Sequence, residues 1–242
     1  MAVMTFPHER LGRSRGSIDR AGQLLREWYE SGVLAGPEVQ EASATLNDYR
    51  SQIKDPLKRV VMGLRSAVRT SGADVVVSER LKRQPRIIAK LTRFPNMELT
   101  RMQDIGGCRA ILPDLASVDA VRRRVERQTS QVMRVNDYNV DVPTSGYRAV
   151  HIAVRREGAL IEIQLRTEWQ QRWAKLVEDL DASYRLNLKN EDGPEDVLEY
   201  LRAYGSSLAE IDRTGHVEPA QVRLVGRLRE QAQRRLAAGG IG

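Results

Sequence analysis

The sequence predicts an α+β fold, a mixed sheet of about five strands flanked by N- and C-terminal helices. Three observations predict it. Short runs rich in β-branched residues crowd the middle of the chain, long helical patterns precede and follow them, and shorter helical patterns separate them. Of the 242 residues, 41% are hydrophobic and 29% charged, a composition that can build a core and is not that of a disordered chain. Residues 1–70 read as an arm and helices, 71–187 as the core domain, and 188–242 as a helical extension.

The elements follow in order. Residues 1 to about 15 read as a basic, flexible arm. From Ser17 a helix is expected, with Leu24, Leu25, Trp28 and Tyr29 on one side and Gly32 past its end. A second helical stretch opens at Pro37, a favoured first helical position, and runs towards Val68, with Pro56 kinking or dividing it. Strands are expected at residues 73–77, 108–112, 131–135, 148–154 and 160–165, and helices at 84–92 and 115–127 between them. After Arg166 the pattern returns to helix at 167–184, 194–208 and 219–236.

Composition removes several function classes. The single cysteine, Cys108, excludes a disulfide framework and any multi-cysteine zinc or iron–sulfur site. His8, His151 and His216 are far apart and form no HExxH, so a metal would be held by carboxylates, which points to Mg²⁺. No apolar run approaches the ~20 residues that span a bilayer. The N-terminal MAVMTFPHERLGRSRGS has no apolar core of a secretory signal, so a cytoplasmic protein without membrane association is expected. The net charge is +7 and 33 of the 39 basic residues are Arg, which suits an anionic partner. A GC-rich genome explains the Arg bias equally well.

Candidate chemistry begins at LIEIQLRT. Alternation puts Ile161, Ile163 and Leu165 on one face and Glu162, Gln164 and Arg166 on the other. A solvated outer face explains that as well, but the preceding strand adds information. Val150, Ile152 and Val154 alternate as core while His151 points away, and the two strands are joined around Glu157–Gly158, a hairpin signal. His151 and Glu162 can therefore share a polar face. Asp104 in QDIGGC precedes a strand and two glycines, which leave backbone room for a phosphate, unless this is an ordinary turn. Lys82 and Lys90 are eight apart, close to one face if both are helical. They can hold a triphosphate or form an ordinary solvated face.

Taken in order, the chain shows R-x-K (Arg80, Lys82) then Lys90, D-I-G-G-x-R from Asp104 to Arg109, and D-Y at Asp137 and Tyr138. G-Y-R-x-x-H from Gly146 to His151 follows, and then E-I-Q-x-R-T from Glu162, leading into a Trp-bearing helix. This constellation resembles the synthetase domain of the RelA/SpoT family, alarmone synthetases with a nucleotidyltransferase-like fold that move pyrophosphate from ATP to a ribose 3′-hydroxyl. The resemblance covers roughly residues 73–181. It implies that Asp104 binds Mg²⁺ and that Glu162 activates the acceptor hydroxyl and shares the metal. It further implies that Arg80 packs on adenine, that Lys82, Lys90, Arg109 and Arg134 contact ATP, and that Tyr147 stacks on the acceptor base with His151 beside it. Gln164, on the Glu162 face, is a weaker acceptor-site candidate.

Two departures matter. The family's K-D-Y and P-K-x-N-G-Y are here N-D-Y and V-P-T-S-G-Y, so Asn136 and Pro143 stand where phosphate-contacting lysines are usual; Arg86 replaces a serine. Each missing charge-assisted hydrogen bond would cost a di- or triphosphorylated acceptor on the order of 1.5–3 kcal/mol. Three readings follow: an alarmone synthetase acting on GDP or GTP, a toxic small synthetase of toxin–antitoxin or phage-defence systems acting on the 3′-CCA end of tRNA, or an inert nucleotide-binding module. The missing lysines tip the balance towards tRNA. Arg122, Arg123, Arg124 and Arg127, or Arg223, Arg227, Arg229, Arg234 and Arg235, would then meet its phosphates, unless they are solvated faces. The last helix also carries an apolar stripe that can pack on this domain, a second subunit or an antitoxin. Trp169 and Trp173 read as packing residues and Cys108 as a small buried strand residue.

Overall fold

The structure, a computed structural model, describes residues 13–33, 36–72, 75–129, 131–188 and 191–239; the expected arm lies outside these residues up to position 12. Helix α1 (Arg15–Ser31) begins where the Ser14 hydroxyl accepts from the Ser17 amide and ends at Gly32, whose φ of 63° is left-handed backbone. Pro56 does divide the next stretch, into α2 (Pro37–Gln52) and α3 (Lys54–Thr70), but the break falls at Ile53. Proline has no amide hydrogen to give to the carbonyl of Gln52, so it sits in the first turn of the new helix, where no donor is needed.

Five strands follow: β1 (Val77–Leu81), β2 (Gly106–Leu112), β3 (Val132–Asp137), β4 (Val150–Arg156) and β5 (Ala159–Thr167). Helices α4 (Gln84–Arg93) and α5 (Leu115–Gln128) lie between them, and α6 (Glu168–Tyr184), α7 (Glu195–Thr214) and α8 (Pro219–Gly239) come after. The sheet order is β1-β2-β5-β4-β3, with β2 and β5 parallel and the other pairs antiparallel. The expected first strand is displaced: the apolar run ending at Val77 precedes β1, and Val76 is exposed. Residues 73–74 of that run lie outside the described residues. Sequence VSERL forms an edge strand open to solvent on most of its length, so its backbone pairing with β2, not hydrophobic alternation, defines it.

The expected hairpin is present. Arg156 pairs with Ala159, and Glu157 (φ 50°) and Gly158 (φ 84°) make a two-residue turn with both centres left-handed, the geometry that follows strand twist. Ile161, Ile163, Leu165, Val150, Ile152, Val154, Cys108, Ala110 and Leu112 turn to one side of the sheet and join α1–α5 in a single apolar core. Two glycines thread β2 through this arrangement. A Cβ on Gly106 would lie 2.7 Å from Ile53 Cγ2 and 2.8 Å from Ile161 Cδ1, so the core side has no room for it. A Cβ on Gly107 would meet only the Glu162 carbonyl, at 3.6 Å. A second cluster, built by α6–α8 around Trp173, Val177, Leu201 and Leu228, takes in Tyr147 and Ala149 just before β4. No helix among the described residues is long and apolar enough to cross a membrane.

Candidate active site

The side of the sheet turned away from α1–α5 carries the polar residues. Asp104 lies just ahead of β2, and its carboxylate accepts from Lys82 Nζ at 2.6 Å and Lys90 Nζ at 2.9 Å. Contrary to what their spacing predicts, the two lysines do not share a helix. Lys82 follows β1 in extended backbone, its amide donating to the Ile105 carbonyl at 2.8 Å, while Lys90 projects from α4. Burial alone would raise the Asp104 pKa; the charges and hydrogen bonds of both lysines outweigh it and bring the value down to about 2.

Glu162 sits in the centre of β5, in register with Gly107 of β2 and Ala153 of β4. Gly107 clears the floor between Glu162 and Arg80, which pairs with Gly107 from the other side. Oε1 of Glu162 lies 3.1 Å from His151 Nδ1, and Oε2 accepts from Gln164 Nε2 at 2.6 Å. Burial pushes the Glu162 pKa up, but the His151 and Gln164 contacts prevail and hold it below the usual carboxylate range, while the charge of Asp104 works against its ionisation. The two acids from distant segments therefore feel one another's charge across the sheet.

Cations crowd the same surface. Arg109 and Arg166 both donate to Gln171 Oε1 at 3.1 Å. The Nε atoms of both guanidiniums are buried and make no hydrogen bond. Burial, then the charges of Arg166 and Arg80, drive the Arg109 pKa down despite attraction from Glu178. Like charges held this close with unused donors form a cradle for a polyanion. Arg134 lies apart from it. On β3 it is in register with Ala153, two strands (roughly 10 Å) from Glu162, and its Nε donates to Asn136 Oδ1 at 2.7 Å.

Tyr147 is a correction. The resemblance gives it a stacking role, which needs an exposed ring face, yet it is only 6% exposed. Its ring is enclosed by Tyr138, His151 and Trp173, with centroids 5.5–5.8 Å away, because the loop before β4 folds under α6 and α7. Its hydroxyl lies 2.6 Å from His151 Nε2 and accepts from Arg166 Nη2 at 2.7 Å. Arg166, a fully buried member of the polar face, is the residue that motif reading passed over. Alternation along β5 places it beside Glu162 and Gln164, and a buried arginine within a strand was the available signal. Of the arginines considered for RNA, Arg122 is engaged by Asp137 and Glu126 and Arg123 by Asp119, whereas Arg223, Arg227, Arg229, Arg234 and Arg235 on α8 are exposed with no ion pair among the described residues.

Comparison with known proteins places this geometry. An uncharacterized protein of Mycobacterium tuberculosis is 29% identical over 192 residues, covering 78% of this chain and 66% of that one; the chain thus spans just under two thirds of this relative's length. GTP pyrophosphokinase YjbM of Bacillus subtilis is 28% identical over 161 residues, covering 60% of this chain and 74% of that protein. The fold is that of small alarmone synthetase 1 from Bacillus subtilis, solved with its product pppGpp (TM-score 0.55, 23% identity, 65% of this chain and 90% of that one). It is also that of a GTP pyrophosphokinase family protein from Streptococcus pneumoniae (TM-score 0.56, 21% identity, 78% and 96%). Residues 79–188 match the family model described as the region found in RelA / SpoT proteins. That segment holds every acid and cation of the site from Arg80 to Arg166, so the part of the chain that carries the site is the part that resembles RelA / SpoT proteins.

Proposed function

We propose that this domain transfers the β,γ-pyrophosphate of ATP to a ribose 3′-hydroxyl and releases AMP. The observation that carries the reading is the meeting of Asp104 and Glu162 on one sheet face beside Arg80, Arg109, Lys82 and Lys90. The hydroxyl oxygen bonds to the β-phosphorus, its proton passes to Glu162, and the bond between the β-phosphorus and the bridging α-phosphate oxygen breaks with its electron pair leaving on AMP. A ribose hydroxyl is a weak nucleophile, so an ionised carboxylate within reach is required, and the contacts of Glu162 keep it ionised. Charge develops towards the α-phosphate, where guanidinium and ammonium groups stabilise it. Arg80, Lys82, Lys90 and Arg109 bind the donor; Arg134, two strands away and donating to Asn136, is given no role in it.

The donor set fits a hard divalent cation: two carboxylates, both held ionised by their neighbours. Asp104 and Glu162 would hold Mg²⁺, which neutralises triphosphate charge when bound. Lys82 and Lys90 would then exchange the Asp104 carboxylate for phosphate oxygens.

For the acceptor, our reading is the 3′-terminal adenosine of tRNA, with His151 and Gln164 beside it. Asn136 and Pro143 offer no cation to an acceptor's 5′-phosphates, while the unpaired arginines of α8 suit an RNA backbone. Such an activity would block translation and call for a neutralising antitoxin. The relative named GTP pyrophosphokinase favours a second reading, with GDP or GTP as acceptor. Purified protein incubated with Mg²⁺ and β,γ-labelled ATP, with GDP, GTP, ATP and deacylated tRNA offered in parallel, decides between them. Label on tRNA supports the first reading, label on guanine nucleotides the second, and absence of AMP release overturns both.

A further inference from the structure

Glu162 is gripped on both oxygens, and both grips trace back to one buried guanidinium. We infer that Arg166 is a positioning residue that, acting through Tyr147 and Gln164, fixes the direction of the two hydrogen bonds that hold Glu162; this rests on Glu162 being the base. Arginine can only donate and a carboxylate can only accept, so hydrogen counting between them has one solution.

On the first arm, His151 Nδ1 is 3.1 Å from Glu162 Oε1. A bare nitrogen lone pair there would face an anion, so Nδ1 carries the hydrogen. Nε2, 2.6 Å from the Tyr147 hydroxyl, is then the acceptor, and the phenol's own hydrogen fills it. The phenol oxygen keeps its lone pairs for Arg166 Nη2 at 2.7 Å. The same Arg166 guanidinium lies 5.2 Å over the Tyr147 ring. On the second arm, Arg166 Nη2 donates to Gln164 Oε1 at 3.3 Å, which turns the amide so that Nε2 donates to Glu162 Oε2 at 2.6 Å. Arg166 is buried to 2% exposure, so solvent does not compete for these donors. Each Glu162 oxygen receives one N–H and keeps a lone pair for the incoming proton.

The test uses Tyr147→Phe, which removes the hydroxyl and keeps the ring, so that any stacking on a base is preserved. The ring nitrogens of His151 are observed by ¹⁵N NMR, assigned with His151→Asn. In the wild type the inference expects hydrogen on Nδ1, towards Glu162, and Nε2 accepting from the Tyr147 hydroxyl. In Tyr147→Phe it expects both tautomers, a kcat lower by roughly tenfold to a hundredfold, and an unchanged KM for ATP. The asparagine amide of His151→Asn stands where Nδ1 stood, so adding Tyr147→Phe to it costs nothing further. An Nε2–H tautomer in the wild type overturns the inference, as does a Tyr147→Phe enzyme with wild-type kcat. If the wild type transfers no pyrophosphate to any acceptor, the proposed function fails instead, and the NMR spectrum still decides the hydrogen-bond chain.

Discussion

Asp104 is held between two ammonium groups in the free protein, so a divalent cation and the lysines compete for the same oxygens. Removing one competitor should help the metal: Lys82→Met is expected to bind Mn²⁺ several-fold more tightly without nucleotide, read by electron paramagnetic resonance, and ATP should produce the same gain in the wild type. The pair also has a pH signature. Its folded pKa, about 2 against an ordinary 3.8, means that the stabilisation is fully present above pH 4 and lost as pH falls towards 2. Urea titrations should show wild type more stable than Asp104→Asn by about 2 kcal/mol at pH 7, with the gap closing at pH 2. Glu162→Gln keeps the side-chain shape, so it should abolish AMP release while its melting temperature stays close to that of the wild type. At this scale the sequence showed which side chains share a face better than how they meet. Lys82 and Lys90 were legible as a cationic pair, but their convergence from a strand end and a helix depends on how far the chain travels between them. Tyr147 was legible as a site residue, and its burial was not, because the helices that cover it lie more than twenty positions later.

The two glycines of β2 separate stability from function. Gly106→Ala drives a methyl group into Ile53 and Ile161, which should cost about 1–3 kcal/mol of unfolding free energy, measured by denaturant titration. Gly107→Ala meets nothing closer than 3.6 Å and should fold normally. Its methyl stands on the floor between Arg80 and Glu162, so the expected loss is in KM for ATP. Legibility of the strands followed how unequal their two faces are. β5 and β4 bury one side against the helices and expose polar groups on the other, and alternation found them within about two residues. β1 has an open edge and only its end residues Val77 and Leu81 rest on the core, so alternation marks it weakly, and the apolar residues just before it drew the expected strand away.

Charge is unevenly spent over the whole molecule. Some arginines on α3, α5 and α7 pair with nearby acids, as with Arg59 and Glu157, Arg122 and Asp137, and Arg202 and Glu195, while Arg223, Arg227, Arg229, Arg234 and Arg235 of α8 make no ion pair among the described residues. On the tRNA reading, replacing Arg223, Arg227 and Arg234 by Gln should leave ATP turnover and melting temperature unchanged, yet weaken binding of deacylated tRNA. The slope of log affinity against log salt should flatten by about 0.7–0.9 for every phosphate no longer neutralised. The apolar stripe of α8 was readable from period; its outward basic face became meaningful only once neighbouring acids were located.

The place of β5 has a consequence for how the enzyme comes into being. It is the last strand to be synthesised and the middle one in the sheet, with β2 on one side and β4 on the other. Until it emerges, the chain holds two separate strand pairs, one bringing Asp104 and the other His151. Pairing partners this distant form slowly, and the weld that joins them also delivers Glu162. An unfinished or half-folded chain therefore lacks Glu162 from the sheet face, and the two acids come together only in one late step.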